Sequence, residues 1–430
     1  MLLFLYSAAL YLTLLVTAPF WLFKIATTEK YRYGLAERLG RLPRRVLDAR
    51  GAQPVIWVHA VSVGELLAAS RLIEELSVRA KGYRVLVSTT TRTGQELARA
   101  RFGEDRVFYF PLDFRWVVQR YLRAVRPALV VLLETEFWPN FLAACREAHI
   151  PVAVINARIS DRSYPRYVRL RVLWRQILSG IVLALAQTEE DVSRLIAIGV
   201  PEQRVRLGGN LKFDVRTAQP AEVTTALRSH IPAGGEVLVA GSTLDGEEKM
   251  MLEAWPQVVA AVPNSRMVLA PRHPARFATV AALLQRSGIW WARRSEWLGA
   301  PCDLPPGAVF LLDSIGELAS VYSLATLAFV GGSLVPAGGH NPLEPAQYAV
   351  PVVMGLHYTN FRAIVETLRV EEALQIVSRE DLADSLIERL SRREETALMG
   401  ARAQHIFERE SGATERAIEA LRNLLLEANR

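Results

Sequence analysis

The chain has 430 residues, 51% hydrophobic and 22% charged, with a formal net charge of +7. This length and balance suit two domains of about 150–200 residues with full cores, and exclude a disordered or low-complexity protein. Two cysteines (Cys145 and Cys302) and seven histidines without metal-ligand spacing exclude a disulfide scaffold and argue against a protein-held zinc site. The positive excess suits phosphate groups, a nucleotide or an anionic membrane, and no nucleic-acid-binding module accompanies it.

Residues 1–23 carry no charged side chain, about the length of apolar helix that crosses a hydrocarbon core of roughly 30 Å. Lys24, Lys30, Arg32, Arg38, Arg41, Arg44 and Arg45 follow. By the positive-inside rule that flank stays cytoplasmic, with the short amino terminus outside. Tyr11, Trp21, Tyr31 and Tyr33 are candidate interfacial aromatics. A cleaved signal peptide would carry positive charge ahead of its apolar core. The pattern favours an anchor that spans the membrane over one lying in the interface; either way the body faces the cytoplasm.

Beyond the anchor, short apolar runs alternate with amphipathic patterns. Strands are predicted at Val55–His59, Arg84–Thr89, Val107–Phe110, Leu129–Glu134, Val152–Asn156 and Leu183–Gln187, with helices between them such as Leu66–Ala80 and Phe141–His149. A second series runs Val237–Gly241, Met267–Pro271, Ile289–Ala292, Val309–Asp313, Leu327–Gly331 and Val350–Met354. This βαβ rhythm predicts two mostly parallel sheets covered by helices, joined by a linker at Lys212–Pro220. The domains expected are an anchor at 1–23, a first Rossmann-like domain at 24–215 and a second at 216–430. Ligands bind outside the carboxyl ends of such strands, so motifs at those ends carry the information.

In the first half, His59-Ala60-Val61-Ser62-Val63-Gly64-Glu65 passes from a strand into a helix. Ser62 and Glu65 fit a capping box, and Glu65 equally fits a carboxylate placed for chemistry. Leu133-Glu134-Thr135-Glu136-Phe137-Trp138 puts two carboxylates at an apolar strand end, where an uncompensated charge is costly. Arg158–Arg175 interleaves arginines with Tyr, Leu and Trp. It reads as a surface for lipid headgroups or as a solvated helix face.

In the second half, Ala270-Pro271-Arg272-His273-Pro274 ends a strand in a basic pair held between prolines, suited to a phosphate. Asp313-Ser314-Ile315-Gly316-Glu317-Leu318 repeats the S-x-x-E pattern, with Ser314 a candidate helix start. Phe329-Val330-Gly331-Gly332-Ser333 runs into glycines, and Gly338-Gly339-His340-Asn341-Pro342-Leu343-Glu344 then opens a helix with proline in its first turn. Free backbone N–H groups there favour an anion. The pattern is neither a Walker loop nor the dinucleotide fingerprint.

His59–Glu65, Glu134–Asn140, Asn156-Ala157-Arg158, Gly209–Asp214, Pro271-Arg272-His273, Asp313–Leu318 and Phe329–Glu344, in this order, resemble the 3-deoxy-D-manno-octulosonic acid (Kdo) transferases, glycosyltransferase family 30. The resemblance implies a GT-B architecture, two Rossmann-like domains facing a cleft, plus the amino-terminal membrane-anchor helix. It implies transfer of Kdo from CMP-Kdo to lipid IVA, a tetraacylated lipid A precursor, with inversion and with no cofactor beyond that donor. By similarity Glu65 is the proton acceptor, and Glu134 and Lys212 occupy transition-state-stabilising positions. Pro271, Arg272, Ile315, Gly316, Glu317, Asn341, Pro342, Leu343 and Glu344 match CMP-contacting segments. The inner membrane is the expected location. The competing readings are a membrane-associated GT-B enzyme using a UDP-sugar and a non-catalytic, membrane-tethered lipid-binding protein.

Overall fold

The structure, a computed structural model, describes residues 2–28, 32–216, 220–232, 234–297 and 304–428. Lys30, Tyr31, linker residues 217–219 and Cys302, singled out above, lie outside these. The chain forms two compact units, Met1–Val215 with Ser411–Arg430, and Arg216–Glu410.

In the first unit the strands are β1 (Val55–Ala60), β2 (Arg84–Thr89), β3 (Val107–Tyr109), β4 (Pro127–Leu133), β5 (Val152–Ala157), β6 (Ile181–Ala186) and β7 (Val205–Leu207). They make one seven-stranded sheet in the order β3-β2-β1-β4-β5-β6-β7, and every pair is parallel. The apolar runs are continuous because both faces are covered. Along β1, Val55 and Trp57 enter one core, while Ile56, Val58 and Ala60 enter the other, the alternation that a pleated strand imposes.

Among the helices of this unit, α1 spans Leu2–Thr27, α2 Val63–Arg79, α3 Pro139–Glu147, α4 Tyr164–Arg169 and α5 Arg171–Leu178. Helix α1 includes a stretch, Leu3–Thr27, of mean hydropathy 1.8, long and apolar enough to cross a membrane.

The second unit repeats the plan with β8 (Glu236–Thr243), β9 (Ser265–Pro271), β10 (Trp291–Arg293), β11 (Val309–Leu311), β12 (Leu327–Val330), β13 (Val352–Met354) and β14 (Leu374–Ile376). Their order is β10-β11-β9-β8-β12-β13-β14, again parallel throughout. Helix α6 (Glu247–Ala261) follows β8. The edge strands β7 and β14, three residues each, escape a reading based on long apolar runs.

Two expectations need correction. The second unit ends at Glu410 rather than 430. The last helix, α7 (Ala413–Ala428), returns to the first unit and sinks Ala417, Ile418, Leu421 and Leu425 into the core under α2. Its sequence is amphipathic, and amphipathicity does not say which sheet the apolar stripe covers. The segment expected to be a linker starts too early as well. Leu211–Asp214 is a 3₁₀ turn with Leu211, Phe213 and Asp214 buried. The Asp214 carboxylate accepts from the backbone N–H groups of Gly412 and Thr414.

Candidate active site

In the first sheet β1 and β4 are neighbours, although β2 and β3 separate them in sequence. The strand order reverses there, the point where open parallel sheets bind ligands. Residues 61–65 leave β1 at this point and residues 134–138 leave β4.

Ser62 is the extended N-cap of α2, and its Oγ accepts the Glu65 N–H at 3.4 Å. The Glu65 side chain turns back. Its Oε2 accepts from the Val61 N–H at 2.8 Å and its Oε1 from the Ser62 hydroxyl at 3.0 Å. The capping box therefore exists, with the carboxylate reaching one residue behind the cap. One donor per oxygen leaves lone-pair directions free on both. Burial and, after it, the charge of Glu134 raise the Glu65 carboxyl to about 7, against the Val61 and Ser62 hydrogen bonds; Glu136 adds a smaller push upward.

Glu134 has φ +55°, a left-handed conformation that costs a residue with a side chain on the order of 1 kcal/mol. It turns the chain out of β4 while its N–H still donates to Ile155 O at 3.0 Å. Two residues on, Glu136 accepts from Trp138 Nε1 at 3.1 Å. Burial raises this carboxyl, against the Trp138 hydrogen bond and with help from the Glu134 charge.

Lys212 is placed by a ladder of amides at the carboxyl ends of β5 and β6. Asn156 Oδ1 accepts from Leu211 N–H at 3.0 Å, and Asn210 Oδ1 from Lys212 N–H at 3.0 Å. Asn210 Nδ2 donates to Gln187 Oε1 at 3.1 Å, and Gln187 Nε2 to Asn156 O at 3.0 Å. Burial lowers the Lys212 ammonium; the Glu134 charge opposes this, Arg158 reinforces it and Glu65 opposes it more weakly. Glu65, Glu134 and Lys212 thus share one electrostatic neighbourhood, which also takes in Glu136 and Arg158.

His59, in the same motif, is fully buried in β1. Its ring stacks on Phe110 with centroids 3.8 Å apart, and burial lowers its imidazole to about 3. It is a neutral core residue.

In the second sheet the order reverses between β8 and β12. Here Glu247, fully buried at the start of α6, organises the glycine loop. Its Oε2 accepts from Leu244 N–H (2.8 Å) and Gly332 N–H (2.7 Å), and its Oε1 from Ser333 and Leu334 N–H (2.9 Å each). The loop closes on itself, with Gly339 N–H donating to Gly332 O at 2.7 Å and His340 N–H to Gly331 O at 3.1 Å. Gly332 has φ +69°, and a Cβ there would sit 2.9 Å from His340 Cδ2, so only glycine fits.

Arg272 follows β9, and its N–H donates to Thr243 O at 2.9 Å. Burial, then the charges of Arg272 and His273, lower the His340 imidazole to about 4. Burial raises the Glu344 carboxyl, while the Arg272 charge and an Asn341 hydrogen bond oppose the rise. Arg272, His340, Asn341 and Glu344 therefore lie together. Pro271 closes β9 and is buried; Pro342 precedes the buried Leu343.

The helix expected to open at Asn341-Pro342 is a single turn, Leu343–Ala346. Ser314 does not start a helix: the next one, Leu318–Val321, begins after Glu317. Glu317 instead pairs with Arg294 (3.2 and 3.3 Å) and with the Ser314 hydroxyl. Ile315 is 68% exposed, and Gly316 has φ +89°. Ile315, Gly316 and Glu317 form a turn fastened through Glu317 to Arg294 and Ser314.

Sequence reading overlooked Glu247. The signal was available: Gly64-Glu65 after β1 and Gly246-Glu247 after β8 occupy equivalent places in the two sheets. In the first unit the carboxylate folds back on its own cap, whereas in the second it reaches across to a loop.

Residues 33–215 match the family described as 3-deoxy-D-manno-octulosonic-acid transferase (kdotransferase). The chain is 34% identical to the 3-deoxy-D-manno-octulosonic acid transferase of Haemophilus influenzae, over 93% of both chains. Against the enzyme of the same name from Bordetella pertussis it is 35% identical, over 90% of this chain and 91% of that one. In fold it is similar to MurG of Acinetobacter baumannii, with a TM-score of 0.55 at 14% identity over 86% of this chain and 99% of that one. The fold is GT-B.

Proposed function

The chain belongs to the 3-deoxy-D-manno-octulosonic acid (Kdo) transferase family, and from that premise we propose that it moves Kdo from CMP-Kdo to lipid IVA with inversion, using Glu65 as the base. One observation carries the reading: Glu65 leaves β1 at the switch point with its carboxyl raised to about 7 by burial and by Glu134. A base poised near the working pH is half ionised and still basic enough to accept a proton as the transition state forms.

In the proposed step the acceptor hydroxyl oxygen bonds to the anomeric carbon of Kdo. Its proton passes to a Glu65 carboxylate oxygen. The bond from that carbon to the phosphate oxygen breaks, and CMP leaves with the electron pair. Lys212, beside Glu134 and Glu65, supplies fixed positive charge where negative charge builds up. In the second unit Arg272 suits the CMP phosphate, beside a glycine loop whose Gly332, Ser333 and Leu334 N–H groups Glu247 holds. No cofactor enters this scheme. The apolar α1 and the basic residues after it support work at the cytoplasmic face of the inner membrane.

The test is mass spectrometry of products formed by the full-length protein from CMP-Kdo and lipid IVA. Lipid IVA gaining the mass of one or more Kdo units is expected. An unchanged acceptor alongside turnover of a UDP-sugar would replace this reading with the UDP-sugar one.

A further inference from the structure

Gly208-Gly209-Asn210 separate β7 from the turn that carries Lys212, Leu211–Asp214. The amide ladder of Asn156, Gln187 and Asn210 fastens the front of this turn to the ends of β5 and β6. A second set of polar contacts reaches it from the start of α7, some 200 positions later in the chain.

Asp214, the last residue of the turn, is 3% exposed. Its Oδ1 accepts from the Gly412 N–H at 2.6 Å and its Oδ2 from the Thr414 N–H. Both donors lie at the opening of α7, where a helix leaves N–H groups without partners of their own. The carboxylate is thus a cap supplied from a distant part of the chain, and its charge faces the positive end of the helix dipole. The Ser411 hydroxyl donates to Phe213 O at 3.0 Å. Arg416, in the first turns of α7, donates through Nε to Gly208 O at 2.9 Å. A Cβ on Gly209 would sit 2.5 Å from Arg416 Nη2, so that glycine leaves the room the guanidinium occupies.

Burial of Ala417, Ile418, Leu421 and Leu425 already holds α7 on the first sheet. Apolar burial is non-directional and does not fix the turn that carries Lys212. The hydrogen bonds from α7 are directional. With the ladder they fasten the chain on both sides of Lys212 in sequence, at Gly208, Asn210 and Leu211 before it and at Phe213 and Asp214 after it.

We propose that Asp214 and Arg416 are positioning residues for Lys212, so that the last helix of the chain is part of the active-site construction. The inference rests on the reading of Lys212 as the positive group at the transition state. A misplacement of about 1 Å at such a group can cost on the order of 100-fold in rate.

The test compares Asp214→Asn, Arg416→Ala, Arg416→Lys, Leu425→Ala and Lys212→Ala in the full-length protein, with CMP-Kdo and lipid IVA as substrates. Asp214→Asn keeps the shape of the side chain but turns an amide nitrogen toward one of the two N–H groups. Arg416 is exposed, so Arg416→Ala keeps the fold and serves if Asp214→Asn does not. Asp214→Asn should lower kcat by about 10–100-fold and Arg416→Ala several-fold, with KM for CMP-Kdo little changed, the pattern of an interaction made in the transition state. Arg416→Lys should recover part of the loss. Leu425→Ala, in the same helix beyond these contacts, should melt earlier and keep the wild-type kcat.

The Lys212 ammonium gives a readout that a loss of stability does not move. The chain has five lysines, so in a lysine-labelled sample its NMR signal is assigned by its loss in Lys212→Ala. Burial is the largest cause that lowers this ammonium; Glu134 and Glu65 oppose the fall and Arg158 adds to it. A released turn lets water reach the ammonium, so its pKa should rise in Asp214→Asn and stay in place in Leu425→Ala. Wild-type kcat and titration in both Asp214→Asn and Arg416→Ala, beside a slow Lys212→Ala, would overturn the positioning role alone. Wild-type turnover in Lys212→Ala would overturn the reading of Lys212 and this inference with it.

Discussion

Glu247 Oε2 accepts the backbone N–H of Gly332 at 2.7 Å, joining the first turn of α6 to the glycine loop after β12. Four backbone donors in all converge on this one buried carboxylate. Hydrogen bonds to a charged acceptor are worth about 1.5–3 kcal/mol each, and orphaned buried donors cost about 1–3 kcal/mol. Glu247→Ala should therefore destabilise the protein by about 3 kcal/mol or more and weaken CMP binding. Thermal unfolding and CMP titration check both. Glu247→Gln should share the defect in part, because its amide nitrogen would face N–H groups; a wild-type melting temperature in both variants would remove the loop-holding role.

Glu65→Gln should lower transfer by about 10²–10⁴-fold, the usual contribution of a positioned base. The folded state raises this carboxyl from 4.5 to about 7. Burial thus disfavours the ionised form, and the stability cost appears above pH 4.5 and is complete above about pH 7. Glu65→Gln should match the wild type in stability near pH 4 and equal or exceed it at pH 8. Denaturant melts at the two pH values test the sign.

The like charge of Glu134 is the second cause of the Glu65 shift. Activity should rise with pH as Glu65 ionises, with a midpoint near 7 in kcat/KM. In Glu134→Gln that midpoint should move to lower pH, whatever happens to the maximal rate. A pH profile that keeps its midpoint would separate Glu134 from Glu65.

Arg272→Ala should reduce CMP affinity by roughly 10-fold or more, as expected on losing a charge-assisted hydrogen bond worth about 1.5–3 kcal/mol. It should leave the fold intact, because the side chain is exposed. Its loss should also let the His340 imidazole and the Glu344 carboxyl both rise, since the Arg272 charge holds each of them down. Calorimetric CMP titration and NMR titration of His340 are the measurements.

Leu421, fully buried on α7, should behave as a core residue of the first unit. Leu421→Ala should cost about 2–5 kcal/mol, read by denaturant unfolding. A surface-like change below about 0.5 kcal/mol would contradict the return of the carboxyl terminus to that unit.

The parallel β/α plan was legible in the sequence because strands buried on both faces are written as unbroken apolar runs, such as Trp57–Val58 and Val130–Leu133. The cap at Ser62 was legible because capping is local, satisfied within four residues. The same local pattern at Ser314 formed no helix: Glu317 found Arg294, distant in sequence, and a pattern cannot reveal a competitor it does not contain. The meeting of Glu65, Glu134 and Lys212 needed the strand order. Only the adjacency of β1 and β4, and the amide ladder from Asn156 to Asn210, bring residues from 65 to 212 into one field. Tertiary structure likewise decided that α7 covers the first sheet and that Glu247 serves a loop some 85 residues away. Composition fixes what a segment must bury or pair, while the partner depends on which surfaces the completed sheets leave open.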